Sequence, residues 1–398
     1  MAATAEPMTH PAPAAAPSTA GHPARAAGRS TGAAPVVVVT GALAPYTHVL
    51  YEALAEALDR PLHVLSCTSR ETARQWTLDA PTRYRHAVLP GLRWHRSADR
   101  NLYVNPSVVG RLRSLAPKAL ILNDFSPTVL IAALAARRLG IPYGIRTDGV
   151  PEIDPGARSR LHRLLRRSVV SGASFGLGPS LGSRALLARY GLDPARFAMA
   201  PLFPAWRPAA ALPPDAARPY DLLFCGSLNE AMKGARFFTD VVLALRARGR
   251  TPSVRVVGDG PLGAEMRARF AEAGIVARFD GFLQQAALPE AYASARIFAF
   301  PSRGDVWGVV VQEALQSGTV LLASPHSGAA RELVEPWGCG LIRPLVEDAW
   351  VRAVGDLLDD PGRREALRQA GLAASPHFSL ERAMRGYLDA LAGVGAAA

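Results

Sequence analysis

Short apolar segments typical of buried strands alternate with helical segments twice along the chain, and a proline-rich stretch separates the two series. The first series begins with the β-branched run Val36–Thr40 and the second with residues 220–226, while residues 204–219 lie between them. Such alternation is typical of parallel sheets covered by helices on both faces. The sequence therefore predicts two doubly wound α/β domains, with a ligand bound in the cleft between them.

The predicted domain boundaries follow from composition as well as from this pattern. With 398 residues the chain is long enough for two cores. Residues 1–34 are rich in Ala and Pro and are predicted to be disordered, without the apolar centre of a secretory signal. We expect an N-terminal domain over 35–204, a linker over 205–219 and a C-terminal domain over 220–376. The remaining segment, 377–398, contains a helix expected to cross back to the N-terminal domain.

The positive charge is unevenly distributed. Of 45 Lys and Arg residues and 33 Asp and Glu residues, 24 and 12 precede residue 205, so the net charge of +12 falls entirely in the first half. This asymmetry indicates a polyanionic partner such as an acidic membrane surface, or compositional drift toward arginine. Aromatic residues make up only 7% and are not interleaved with the arginines, which argues against a nucleic-acid-binding protein.

The segment from Phe300 to Gly318 has the most specific pattern in the chain. It predicts a strand, a tight loop and the N-terminus of a helix, where free N–H groups suit a diphosphate. Glycine at position 308 allows close approach of the ligand to the backbone. Glu313, about one and a half turns into the helix, is placed to accept hydrogen bonds from ribose hydroxyls, and Asp305 in the loop is placed to bind sugar hydroxyls.

This segment resembles the acidic E-x(7)-E motif of the fourth family of retaining glycosyltransferases, also called glycosyl transferases of group 1. The resemblance extends from about residue 36 to 392 and implies the GT-B architecture of two Rossmann-like domains. Further segments resemble the family's nucleotide-binding loops. The sequence around Trp307 is most similar to that of bacterial members that build exopolysaccharides. The resemblance assigns nucleotide-sugar binding to Gly226, Ser227, Lys233, Gly258, Phe282, Leu283, Trp307, Gly308, Val309 and Glu313. It assigns catalytic roles to Lys233, Asp305 and Asp148.

The chain departs from the family motif at two positions. Asp305 stands where the family has the first glutamate, and Ser227 stands where it has a phosphate-binding arginine. Lys233 keeps the family's lysine, and we hypothesise that Arg303 supplies a second cation. The alternative for Lys233 is a solvated lysine in a loop, and for Glu313 an exposed position on the helix surface.

On the N-terminal side the residues that end predicted strands are candidates for the acceptor wall of the cleft. Asp148 follows a strand where family members often have a histidine near the transferred sugar. It is our candidate for contacting the donor or acceptor sugar, and the alternative is a turn with only local hydrogen bonds. His48, in the first strand–helix connection, and the pair Asn123 and Asp124 are weaker candidates.

A basic amphipathic helix is predicted from Arg158 to Val169, with its arginines between Arg158 and Arg167 and with Leu161, Leu164, Leu165 and Val169 on its apolar stripe. Members of the family that act on lipid-linked acceptors use such surfaces, so an anionic membrane is a possible partner. We favour the alternative in which the leucines pack on the sheet and the arginines face water.

The resemblance implies an enzyme that moves a sugar, with retention of configuration, from a nucleotide diphosphate sugar to a glycan, a lipid-linked or a small-molecule acceptor, in cell-surface polysaccharide or glycoconjugate biosynthesis. It implies neither a metal nor another cofactor, and no metal-ligand spacing occurs. Three widely spaced cysteines and the lack of about 18 consecutive apolar residues indicate a cytoplasmic protein, peripheral to the inner membrane face at most. The alternatives are an inactive nucleotide-sugar-binding protein and a sugar-nucleotide 2-epimerase.

Overall fold

The computed structural model describes residues 32–69, 75–97, 100–157 and 159–397. The first half contains a seven-stranded parallel sheet in the order β3-β2-β1-β6-β7-β8-β9 and a separate antiparallel hairpin, β4–β5. Its strands are β1 (Val36–Thr40), β2 (Leu62–Ser66), β3 (Arg85–Val88), β4 (Leu92–Ser97), β5 (Arg100–Val104), β6 (Ala119–Asn123), β7 (Tyr143–Arg146), β8 (Phe175–Gly178) and β9 (Phe197–Met199). Its helices are α1 (Pro45–Ala57), α2 (Val108–Leu115), α3 (Pro127–Leu139), α4 (Arg160–Val170) and α5 (Leu181–Arg189).

The second half contains a six-stranded parallel sheet in the order β12-β11-β10-β13-β14-β15. Its strands are β10 (Tyr220–Cys225), β11 (Val254–Val257), β12 (Ala277–Gly281), β13 (Ala295–Phe300), β14 (Val320–Ala323) and β15 (Gly340–Ile342). The helices are α6 (Glu230–Lys233), α7 (Ala235–Ala247), α8 (Gly263–Glu272), α9 (Leu288–Ala293), α10 (Val309–Gln316), α11 (Glu335–Trp337), α12 (Glu347–Asp359), α13 (Pro361–Ala374) and α14 (Leu380–Ala392). The two predicted α/β sheets are therefore confirmed.

The central strands form because their residues are apolar on both sides. β1 consists of four valines and a threonine, all buried, and β6 is likewise buried throughout. A parallel strand covered by helices on both faces needs such a continuous run. In each sheet the strand order reverses beside the first strand, between β1 and β6 and between β10 and β13. These are the points at which α/β sheets bind ligands, outside the carboxyl ends of the strands.

The last helix leaves the second half of the chain and packs on the first. The apolar side chains of α14, including Tyr387 and Leu391, are buried in the cluster that also contains Val36 and Leu54. Gly386 lies so close to β9 that a Cβ there would come within 2.2 Å of the Met199 carbonyl oxygen. The missing side chain thus lets the helix settle directly on the sheet edge.

Several local details differ from the expectations. The helix expected near residues 326–335 is a π-helix, Ala330–Val334, followed by the short α11. The hairpin β4–β5 and the short edge strands β3, β9 and β15 were not predicted. Disorder was predicted for residues 1–34, and residues 1–31 lie outside the described residues. In the part of the chain that the structure describes, no helix combines the length and the apolarity needed to cross a membrane.

Candidate functional site

The connection from β13 to α10 forms the core of the site. Gly308 has a φ of +92° and directly precedes the first helical residue, Val309. This left-handed conformation favours glycine. The first turn of α10 has N–H groups without helical partners, and these together with the positive end of the helix dipole attract an anion. The helix lies beside the strand-order reversal of the second sheet, so its N-terminus faces the expected ligand position.

Lys233 and Asp305 meet at this position. The Lys233 Nζ lies 2.5 Å from an Asp305 carboxylate oxygen, and the two side chains are 21% and 19% exposed. Lys233 is placed by α6, whose N-terminus is capped by the side chain of Asn229. Lys233 is therefore a partly buried, ion-paired residue rather than a solvated lysine in a loop.

Ser227, which replaces the family's arginine, and Arg303, the hypothesised second cation, have different surroundings. Ser227 is exposed, and its hydroxyl accepts a hydrogen bond from Asn229 Nδ2 at 2.9 Å. Arg303, the hypothesised second cation, is 41% exposed and forms an ion pair with Glu230 at 2.5 Å. The structure thus pairs Arg303 with an acid of α6 instead of directing it alone toward the diphosphate position.

Glu313 is a buried carboxylate on α10, only 7% exposed, which excludes the exposed-surface alternative. Its Oε2 accepts a hydrogen bond from the Tyr292 hydroxyl at 2.8 Å, which leaves lone pairs on the carboxylate for a ligand. Burial raises the pKa of Glu313, and the Tyr292 hydrogen bond opposes that rise. Burial and the nearby Glu313 raise the pKa of the Cys225 thiol to about 12, so this thiol is protonated.

Glycines bring the neighbouring loops into contact. A Cβ on Gly258, whose φ is +123°, would come within 1.9 Å of the Gly226 carbonyl oxygen. The Gly258 N–H donates to the Gly281 carbonyl at 2.7 Å, which brings the loop carrying Phe282 and Leu283 to the same edge. Phe282 is 38% exposed and available to a planar ligand, whereas Leu283 packs on the core.

Trp307 requires a correction. Its ring is 2% exposed, lies in the core and donates to Gln312 Oε1 at 3.2 Å. The Trp307 side chain is therefore part of the core and is not accessible to a ligand.

Charged groups gather at the opposite wall, where β6 and β7 end. Asp148 forms an ion pair at 2.5 Å with Nη1 of Arg146, two residues earlier in the chain, and this local contact is compatible with the alternative of a turn. Thr147 donates a hydrogen bond to Asp124, which adopts a left-handed φ of +63°. Burial and the charge of Asp148 raise the pKa of Asp124 to about 6, and the charge of Arg146 opposes this rise. His48 lies on α1, where its Nδ1 contacts the Tyr84 hydroxyl at 2.9 Å.

The two walls touch at both ends of the cleft. Glu332 of the π-helix accepts hydrogen bonds from the backbone N–H groups of Leu181 and Gly182, at 2.8 and 3.2 Å. These are free amides at the N-terminus of α5. Elsewhere the Gln284 side chain accepts a hydrogen bond from the Thr77 N–H at 3.3 Å.

The amphipathic helix is oriented differently from the favoured expectation. Leu161 and Leu164 of α4 are 64% and 65% exposed, and Val169 and Val170 attach the helix to the core instead. Arg166 faces inward and pairs with the buried Asp154 at 2.7 Å. The expectation that the apolar stripe packs on the sheet is therefore wrong for Leu161 and Leu164, whereas Val169 of the same stripe is buried as expected. Arg158, where the predicted basic segment begins, lies outside the described residues.

Sequence reasoning missed Tyr292, which donates to Glu313, because a buried tyrosine in an apolar segment is typical of core packing. The described residues contain no group of three or more His, Cys, Asp or Glu side chains able to hold a metal ion.

Two family models match the chain, one over each sheet. Residues 41–202 match the glycosyl transferase 4-like domain, and residues 219–360 match the glycosyl transferases group 1. The chain belongs to the glycosyl transferases of group 1. The family resemblance stated from the motifs is therefore confirmed, and the family is one of enzymes.

Solved structures show the GT-B fold for this group 1 member. HepE from Anabaena, solved in complex with UDP, superimposes with a TM-score of 0.69 over 90% of this chain and 99% of that one, at 16% identity. Among curated relatives, an α-D-kanosaminyltransferase of Streptomyces kanamyceticus is 26% identical over 44% of each chain. A 2-deoxystreptamine glucosyltransferase of the same organism is 33% identical over 35% of this chain and 36% of its own length. These matches span less than half of the relatives' length.

Proposed function

We propose that the protein transfers a sugar from a nucleotide diphosphate sugar to an acceptor hydroxyl with retention of anomeric configuration. The observation that carries this proposal is the convergence of the α10 N-terminus, Lys233 and the buried carboxylate of Glu313 at the strand-order reversal of the second sheet. In support, HepE of Anabaena, which has the same fold, has been solved with UDP and with UDP-glucose.

The site residues have distinct roles in this reaction. The free amides of α10 and the Lys233 ammonium stabilise the negative charge that develops on the departing diphosphate. Glu313 holds the ribose, and Asp305, once phosphate competes for Lys233, holds sugar hydroxyls. The bond from the anomeric carbon to the phosphate oxygen breaks while a bond to the acceptor oxygen forms on the same face. The acceptor proton passes to the departing phosphate oxygen, so neither a metal nor another cofactor is required.

The test combines binding, turnover and stereochemistry. A thermal-shift screen with UDP, GDP, ADP and their glucose and mannose conjugates should identify a stabilising donor. Proton NMR of the product formed with an added acceptor, either 2-deoxystreptamine or a lipid-linked sugar, should then show the donor's own anomeric configuration. EDTA should leave the rate unchanged. An inverted product, or loss of activity in EDTA, would contradict the proposed mechanism.

A second candidate is a nucleotide-sugar-binding protein without turnover. The observations that favour it are the exposed Ser227 in place of a cation and the engagement of Lys233 by Asp305. Binding of a sugar nucleotide without hydrolysis or transfer would support this candidate.

We further propose that the protein binds a membrane surface through its first domain. There it would meet its acceptor, a glycan or a small molecule, during glycoconjugate biosynthesis. Exposed leucines 161 and 164 project from α4, on a domain that has all of the net positive charge. Apolar insertion together with attraction to anionic lipid is the usual basis of peripheral binding. Sedimentation with vesicles of phosphatidylglycerol should therefore fall in the double variant Leu161→Ser and Leu164→Ser. Leu92→Ser, at a leucine 66% exposed on β4, should sediment like the parent.

A further inference from the structure

One face of α10, the helix that carries Glu313, is attached to the segment that joins the two halves of the chain. The Gln312 side chain donates from Nε2 to the Leu202 carbonyl at 2.5 Å, and Gln316 donates from Nε2 to the Trp206 carbonyl at 3.1 Å. Residues four apart in a helix lie on the same face. The two acceptor carbonyls are also four residues apart, so the joining segment is held to α10 at two points.

Trp206, at the second of these points, packs on Tyr292. The two rings are stacked, with their centroids 5.9 Å apart and an angle of 29° between their planes. On another side the ring of Phe298 meets Tyr292 edge-on at 5.4 Å. The Thr319 hydroxyl donates to the Tyr292 carbonyl at 2.7 Å, and Tyr292 is fully buried. Two rings and one backbone contact therefore restrain the tyrosine.

This restraint extends to the carboxylate of Glu313. A tyrosine hydroxyl oxygen lies in the plane of its ring, so a ring that is fixed in place also fixes the position of the oxygen. The Tyr292 hydroxyl donates to Glu313 Oε2 at 2.8 Å. A carboxylate that is oriented before its ligand arrives loses less side-chain freedom on binding, and such preorganisation increases affinity. The contacts thus run without a break from Trp206 to the carboxylate assigned to the ribose.

We propose that Trp206 is a positioning residue for nucleotide binding: by stacking on Tyr292 it holds the hydroxyl that orients Glu313. This inference rests on the proposed function, in which Glu313 binds the ribose. Trp206 itself contacts no substrate. The segment that joins the two halves of the chain therefore has a second role, which is to prepare the donor site.

The test is a double-mutant cycle in which calorimetry measures the affinity for UDP, or for GDP or ADP if one of these is the nucleotide that binds. Trp206→Leu removes the stacked ring and should weaken binding about three- to tenfold, the range expected for one weakened hydrogen bond. Trp206→Phe keeps a ring against Tyr292 and should retain more affinity. In the background of Tyr292→Phe, Trp206→Leu should cause no further loss. Equal losses in both backgrounds would overturn the proposal.

The pH dependence of binding separates positioning from a general loosening of the fold. Burial raises the pKa of Glu313, and the Tyr292 hydrogen bond opposes that rise. Trp206→Leu should therefore move the pH midpoint of nucleotide binding higher, in the same direction as loss of the Tyr292 hydroxyl. The nearby Cys225 thiol, with a pKa of about 12, stays protonated throughout this range. A midpoint equal to that of the parent would overturn the proposal.

Trp350→Leu is the matched control, because Trp350 is a buried tryptophan of the same half of the chain. It is 1% exposed, its Nε1 donates to the Pro344 carbonyl at 2.9 Å, and its ring meets Phe237 edge-on at 5.5 Å. The substitution should lower stability and leave both the nucleotide affinity and the pH midpoint unchanged. Losses equal to those of Trp206→Leu would show that any buried indole matters, and would contradict a positioning role.

A milder variant keeps the proposal testable if Trp206→Leu does not fold. Gln316→Leu removes only the amide that holds the Trp206 carbonyl. It should weaken nucleotide binding about twofold in the parent and not at all in Tyr292→Phe. The same loss in both backgrounds, or no loss in either, would overturn the proposal.

The failure of this inference can be distinguished from the failure of the proposed function. If the parent protein binds none of the three nucleotides, the proposed function fails, and urea unfolding tests the inference by the same cycle. Tyr292→Phe should then destabilise the parent more than it destabilises Trp206→Leu, because the hydroxyl is no longer held on Glu313 in the latter. Additive effects on the free energy of unfolding would overturn the inference.

Discussion

At the scale of single residues, the burial of Glu313 gives nucleotide binding a characteristic pH dependence. Only the ionised carboxylate accepts hydrogen bonds from both ribose hydroxyls, and burial raises the pKa of Glu313 above its usual value of 4.5. We therefore expect nucleotide affinity to fall as pH decreases, with a midpoint above 4.5. Tyr292→Phe removes a hydrogen bond that stabilises the ionised form and should move the midpoint higher. Calorimetric titration between pH 4.5 and 8 measures both; a midpoint that moves lower in Tyr292→Phe would contradict this assignment.

Asp124 provides a second prediction, on stability. Its pKa is raised to about 6 in the folded protein, against an ordinary value of 3.8, by burial and by Asp148, while Arg146, Thr147 and Arg166 oppose the rise. The folded state therefore binds the proton more tightly than the unfolded state, and stability is lost as pH rises from about 4 to 6. Asp124→Asn should lack this loss. Urea unfolding should show the variant gaining stability relative to the parent between pH 4.5 and pH 7; a constant difference would refute the raised pKa.

At the scale of elements, the start of α10 depends on Gly308. An alanine there would be strained at a φ of +92° and would place its Cβ 3.2 Å from the Phe300 ring. We expect Gly308→Ala to lower the free energy of unfolding by about 1–3 kcal/mol and also to weaken UDP binding. Gly249→Ala is the control, since Gly249 has a φ of +83° with no atom near its would-be Cβ. It should lose stability but keep the parent's UDP affinity, and a loss of affinity there would show that strain alone explains Gly308→Ala.

The elements also differ in how well the sequence predicted them. β1 and β6 were predicted because residues buried on both faces produce continuous apolar runs. The hairpin β4–β5 was missed because its leucines at 92 and 102 are exposed, so neither an apolar run nor a clear alternation marks it. For α4 the pattern predicted the helix and the burial of Val169, but it also assigned Leu161 and Leu164 to the core, since a narrow stripe does not reveal that its first leucines face solvent.

The site likewise contains residues that the sequence predicted and contacts that it could not predict. The positions of Lys233 and Glu313 followed from a motif whose spacing is set by one strand, one loop and one helix. The contact across the cleft has a different origin: Glu332 and Leu181 are 151 positions apart, and only the packing of the two halves brings them together. A single sequence has no local signal for such a contact.

At the scale of the whole molecule, Glu332 links the two walls of the cleft. Its carboxylate accepts two hydrogen bonds at the N-terminus of α5. A negative charge at a helix N-terminus is favourable and stabilises the contact by up to about 2 kcal/mol. Glu332→Ala should therefore favour an open cleft, visible as a larger radius of gyration in small-angle X-ray scattering. Glu335→Ala, at an exposed acid of α11 nearby, should leave the radius unchanged. An unchanged radius in Glu332→Ala would mean that other contacts hold the walls together.

The central claim is that a nucleoside diphosphate binds between the α10 N-terminus and Glu313. Its most direct test is calorimetric titration of the parent protein and of Glu313→Gln with UDP, GDP and ADP at neutral pH. One nucleotide should bind the parent, and Glu313→Gln should bind it at least about tenfold more weakly, because hydrogen bonds to a charged group contribute about 1.5–3 kcal/mol. Binding of none of the three, or equal affinity in parent and variant, would contradict the account.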